Sequence, residues 1–137
     1  MMGKVTIKLN DDIILEKENL IVNSGVEQIA KLLNGFSSAY FTYMGIGSSS
    51  SLPSSTQVAL GNQIEIVKTT NSLGTTRVSN DTCNFQGTFS FSTTYTVTEI
   101  GLFTSSTSGT MLNRTLIGAV NVDKTIDLSI NWQIIVY

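Results

Sequence analysis

The chain has 137 residues, 41% hydrophobic and 13% charged, with a net charge of −2, one cysteine and no histidine. That length suits a single domain over residues 1–137 that buries its core without a disulfide or metal. The eight scattered Lys and Arg leave no basic stripe for a nucleic-acid binder, the absence of histidine removes the commonest general base and metal ligand, and a lone Cys83 excludes an intramolecular disulfide.

The first element is an alternating run, Val5, Ile7 and Leu9 against Thr6, Lys8 and Asn10, which reads as a strand with one buried face. The same alternation argues against a signal peptide, whose central region is continuously apolar. Asn10–Asp11 suits a turn, and a second strand-like pattern over 13–22 completes a hairpin. Ser24 with Glu27 three residues on is a capping-box signature. Val26, Ile29, Ala30 and Leu33 then recur at helical spacing, and Gly35 stands where a left-handed C-cap belongs. The spacing predicts one short helix near 25–34 that covers an end or face of the sheet.

A strand is expected over 40–46, closing on Gly45–Ile46–Gly47, which has no following Lys and is read as a strand end instead of a phosphate loop. A Ser-rich loop with at most one helical turn fills the stretch to residue 62. Strands follow over 63–69, 76–84, 86–93 and 96–103, then a hairpin loop over 104–110 and a returning strand over 111–120. From 125 to 137 the alternation is clearest: Ile126, Leu128, Ile130, Trp132, Ile134 and Val136 share one face, opposite Asp127, Ser129, Asn131 and Gln133. Trp132, Ile130 and Ile134 are therefore core residues, while Ile135 and Tyr137 suggest cover on both sides at that end. The pattern predicts an all-β fold, an antiparallel β-sandwich or Greek-key barrel. No run approaches the ~20 apolar residues that cross a bilayer.

Chemistry-bearing residues are sparse. Asp11, Asp12, Glu16 and Glu18 lie in or beside the hairpin turn, where Asp ordinarily shapes backbone. Cys83 has no histidine to activate it and reads as a small apolar residue, with an intermolecular disulfide or reactive thiol as the alternative. Glu99 stands out because it lies in the apolar run 97–103, on the face of Val97 and Phe103 in a regular strand. A buried carboxylate requires a partner. Arg114, across the 104–110 hairpin, is the first candidate and Arg77 the second. The pair is expected to fix strand register, with ligand recognition as the alternative. Asn80 and Asn113 begin Asn-x-Thr triplets, glycosylation acceptors by pattern. No catalytic residue, cofactor or metal is expected.

Four segments carry a family resemblance: LIVNSGVEQIAKLLNG, FTYMGIGSSSSLPSSTQVALGNQI, TVTEIGLF, and MLNRTLIGAVNV with the alternating strand to Trp132. In this order they resemble small virion structural proteins of tailed phages and archaeal viruses. The resemblance implies a virion surface component serving as capsid decoration, head fibre or tail-fibre-like module; the missing catalytic groups make it non-enzymatic, and the lack of a signal-like run leads to the expectation that it is made in the host cytoplasm. The resemblance also implies self-association, a trimer favoured, and contact with other virion proteins. The alternative is a carbohydrate- or receptor-binding β-sandwich that meets a host surface glycan through Tyr40, Tyr43 and Tyr95.

Overall fold

Alternating β-branched and aromatic residues build nine strands and one helix in the computed structural model, which describes residues 2–136 except the side chains of Met2 and Asn19. In chain order these are β1 (Met2–Leu9), β2 (Asp12–Ile21), α1 (Asn23–Leu33), β3 (Tyr43–Gly47), β4 (Gln63–Lys68), β5 (Thr70–Gly74), β6 (Thr82–Ser90), β7 (Tyr95–Phe103), β8 (Met111–Val122) and β9 (Asp127–Ile135). All pairings are antiparallel, in two layers. One runs β5-β6-β9-β1-β2 and the other β4-β3-β7-β8-β2.

The chain crosses between the layers at both edges. β2 pairs with β1 along most of its length, then turns so that Leu20 and Ile21 pair with Arg114 and Asn113 of β8. At the opposite edge β4 and β5 are separated by Thr69 alone, whose amide donates to the Thr42 carbonyl at 2.8 Å. The first half of this bent segment pairs with β3 and the second with β6. The mainly-β sandwich is thus joined along both edges, which limits the unpaired backbone that an open sheet edge exposes.

The core fills the space between the layers. On β9, Leu128, Ile130, Trp132 and Ile134 are buried, and Trp132 lies in register between Val5 of β1 and Phe85 of β6. Met44, Ile46, Ile100, Leu102 and Leu112 meet them from the other layer. Gly87 provides room for that contact, since a Cβ there would lie 2.8 Å from the Met44 sulfur. The terminal alternation weakens at its ends: Ile126 is half-buried, Val136 is exposed, and Tyr137 lies outside the described residues.

Local chemistry explains the turns. Asn10 and Asp11 both take positive φ, 47° and 73°, the two left-handed positions of a tight hairpin turn. The predicted strand over 76–84 is instead a turn leading into β6. The Asp81 carboxylate accepts the amides of Thr76, Arg77 and Val78 at 2.8–2.9 Å, and this folds the backbone back before Thr82 can pair. β3 likewise begins at Tyr43, not residue 40.

The helix begins earlier than its sequence signature, with Val22 at the N-cap and no side-chain cap. The Asn23 amide donates to the Ser55 carbonyl at 2.8 Å, so a tertiary contact replaces the expected capping box. Ser24 Oγ donates to the Met111 carbonyl, and Glu27 pairs with Lys31 at 2.7 Å. The C-terminus follows expectation: Gly35 has φ +73°, its amide reaches the Leu32 carbonyl, and the Phe36 amide reaches Lys31, a Schellman closure. The buried face carries Gly25 and Gln28, with Ile29 and Leu32 against the core, whereas Val26, Ala30 and Leu33 are exposed. Gly25 permits this seat, because a Cβ there would lie 2.3 Å from the Leu112 carbonyl oxygen.

Candidate functional site

The most concentrated polar chemistry lies on the outer side of the β3-β7-β8 layer, under the loop 48–62. A register irregularity between Val97 and Glu99 acts as a bulge and re-aims the strand. Val97 consequently faces the main core while Glu99 faces outward, on the side of Phe103 and not of Val97. Gly45 and Gly101 are paired beside it, and Gly47 is paired with Glu99. These glycines leave a trough: a Cβ on Gly47 would lie 2.3 Å from Glu99 Oε1 and 2.5 Å from the Asn62 carbonyl oxygen. Leu60 lies in this trough and packs with Val22, Phe103 and Met111 in a second small core.

Glu99 and Arg114 come together there, with no exposure of either side chain. Arg114 Nε and Nη2 donate to Glu99 Oε2 at 2.8 and 2.7 Å. Nη1 donates to the Ser51 carbonyl at 2.9 Å and to Gln57 Oε1 at 3.3 Å, and Nη2 also reaches Ser51 Oγ at 3.3 Å. On the acid, Oε2 accepts the Gly61 amide at 3.0 Å and Oε1 the Asn62 amide at 2.8 Å. The five N–H donors of a guanidinium therefore all have acceptors. Arg77, the second candidate partner, lies in the 75–81 turn instead.

The pair does more than align β7 with β8. It anchors both limbs of the loop, Ser51 and Gln57 through the base, Gly61 and Asn62 through the acid. Thr98 Oγ1 adds a bond to the Ser49 carbonyl at 2.8 Å, and the Ser48 amide one to the Asn62 carbonyl at 2.9 Å. Sequence reading overlooked Ser51, Gln57, Gly61 and Asn62. The available signal was the pair Gly45 and Gly47 together with Gly101, small residues that only a covering segment requires.

The remaining candidates are dispersed. Glu16 faces Lys4 at 3.8 Å on the exposed hairpin, and Asp11, Asp12 and Glu18 are exposed. Cys83 is half-buried, and burial pushes its thiol pKa up, away from a reactive thiolate. Asn80 sits in the exposed 75–81 turn at φ 61°. Asn113 is buried, with Oδ1 accepting the Leu102 amide at 3.2 Å and Nδ2 lacking an acceptor among the described residues. Tyr43 packs against the second small core, Tyr40 lines a groove beside α1, and Tyr95 lies against Phe91 at a centroid distance of 6.2 Å. Among the described residues no three of Asp, Glu and Cys group as metal ligands would, and no helix is long and apolar enough to cross a membrane.

The outer face of the β5-β6-β9-β1 layer is polar and mostly uncharged, with Lys4, Lys8 and Asp127 as its charges. Register aligns Thr70, Gln86, Asn131 and Thr6 in one row across four strands, and Ser72, Asn84, Gln133 and Lys4 in the next. Gln133 Nε2 donates to Asn84 Oδ1 at 2.9 Å, and Gln86 Nε2 to Ser129 Oγ at 2.5 Å. Comparison with family models, curated proteins and solved structures finds no match to this chain.

Proposed function

We propose that this chain is a non-enzymatic structural protein of a virion surface, a capsid-decorating, fibre or tail-associated module that works by protein–protein assembly. The observation that carries this reading is the use made of Glu99 and Arg114. The one ion pair buried among the described residues is saturated by the loop it holds, so it braces a surface instead of receiving a ligand. The mostly uncharged rows on the opposite layer, with Lys4 their one ion, support the same reading, since covering them desolvates few ions. The station on a virion and a trimeric form come from the resemblance of the four sequence segments. Mass spectrometry of purified particles, with imaging of particles lacking the gene, tests it. The protein is expected in intact particles and missing density is expected without it; absence from particles defeats the reading.

The alternative of a carbohydrate- or receptor-binding module would draw on Tyr40, Tyr43 and Tyr95. These lie in three different settings, and sugar platforms ordinarily rely on aromatic faces grouped at one site. Selective glycan-array binding by the isolated protein would favour that alternative.

A further inference from the structure

β2 meets the other layer through two residue pairs, Leu20 with Arg114 and Ile21 with Asn113. Beyond them the strands part. Residues 12–19 of β2 pair with β1 on one side, and among the described residues no strand lies along their other side. β8 past Arg114 likewise pairs with β7 alone. Each strand therefore leaves a row of backbone N–H and C=O groups unpaired along the seam, the feature through which sheets of separate molecules join edge to edge. β2 also carries apolar side chains that favour such pairing, with Ile13, Ile14 and Leu20 exposed by 59%, 43% and 45%.

Three features oppose it. β8 sets three residues, Ile117, Gly118 and Ala119, against Thr98 alone, between the pairs Leu116 with Glu99 and Val120 with Val97. Gly118 takes φ +75° there, and a bulge of this size interrupts the ladder that an added strand would need. On β2, Glu16 and Glu18 stand on the outer face opposite Thr6 and Lys4, so two β2 strands side by side would bring acids together. The third feature is Lys17. It is in register with Val5, which is fully buried, so its side chain leaves β2 on the inner face, the face of Leu15 and the core. It is nonetheless exposed, because it leans across the seam and donates from Nζ to the Leu116 carbonyl at 2.7 Å. Among the described residues no carboxylate forms an ion pair with it. A cation on the inner face of an edge strand is a charge that any further strand would have to cover.

We infer that Lys17 is a guard on this open seam. It occupies a β8 carbonyl just past the last β2–β8 pair and places its charge in the path of an added strand, so that copies of the chain do not join by edge pairing. The guard works whether or not the chain sits on a virion.

The test compares Lys17→Thr with Lys8→Thr in the full chain. Both remove one exposed lysine and leave the same net charge, but Lys8 lies on β1, which has a strand on either side. Sedimentation velocity over a range of micromolar concentrations reads association, amide hydrogen exchange locates it, and circular dichroism with melting temperature verifies the fold. Lys17→Thr is expected to form species of about twice the wild-type mass or more, growing with concentration, with slowed exchange over residues 12–19. Lys8→Thr and Lys17→Arg are expected to sediment as the wild type does. A Lys17→Thr protein that sediments like the wild type, association without added protection over 12–19, or equal association of Lys8→Thr or Lys17→Arg overturns the inference. If Lys17→Thr loses its native circular dichroism, Lys17→Met, which keeps the length of the side chain, is scored by the same outcomes. Association confined to unfolded protein counts against the guard.

Discussion

Glu99 and Arg114 each have no solvent exposure, so neither can exchange its partner for water. Breaking such a pair from one side leaves the other charge buried, at a cost of about 3–5 kcal/mol. Glu99→Gln and Arg114→Met are each expected to lose that much in urea unfolding. The double variant should lose clearly less than the sum, giving a coupling energy on the order of 1–3 kcal/mol for residues in one network; a coupling near zero would contradict the arrangement. Asp81 predicts a different dependence. The Val78 amide first, with those of Thr76 and Arg77 and the Thr82 hydroxyl, holds its carboxyl well below the usual carboxylate range against a desolvation that pushes it up. A depressed folded pKa contributes stability that is present above the unfolded value near 3.9 and is lost as pH falls toward the folded one. Melting temperature should therefore drop below about pH 4, and Asp81→Asn should show a lower plateau with a flatter acid limb. An unchanged limb would show that Asp81 does not govern it.

At the scale of elements, helix placement depends on one missing side chain. Replacing glycine by alanine inside a helix ordinarily stabilises it by about 0.5–1 kcal/mol. At Gly25 the added Cβ would lie 2.3 Å from the Leu112 carbonyl oxygen and 2.7 Å from its Cα, so α1 must lift from β8. Gly25→Ala is expected to destabilise by about 1–3 kcal/mol, with the sign reversal read from chemical denaturation; a more stable variant would show that the helix can shift freely. The same scale shows why parts of the chain were legible. The hairpin and the C-cap depend on neighbours in sequence, and Asn10, Asp11 and Gly35 appear where local chemistry puts them. The helix N-terminus was not legible, because Ser55 and Met111 supply its partners from distant segments. Nor was the 75–81 turn, where β-branched residues resemble a strand until Asp81 takes three amides.

Across the whole molecule, β2 and the bent β4–β5 segment bind the two layers together at opposite edges. Neither layer can then open without breaking pairing in the other, and the shared core between them adds to that coupling. Unfolding is expected to be a single transition, with far-UV circular dichroism and the emission of buried Trp132 following one denaturant midpoint. Separate midpoints would mean that the β5-β6-β9-β1 layer, which holds Trp132, unfolds independently.

The sequence alone determined the β character, the inward face of β9, the hairpin turn and the helix C-cap. Each follows from side-chain period or backbone freedom within a few residues. It also singled out Glu99 as a carboxylate that required a cation, because that requirement is a matter of burial and charge. Tertiary structure decided which side of β7 the carboxylate faces, through a bulge that shifts the alternation at Val97. It decided too that the 48–62 loop lies over Gly45, Gly47 and Gly101. These depend on contacts between residues tens of positions apart, and a period read along one strand carries no information about what crosses above it.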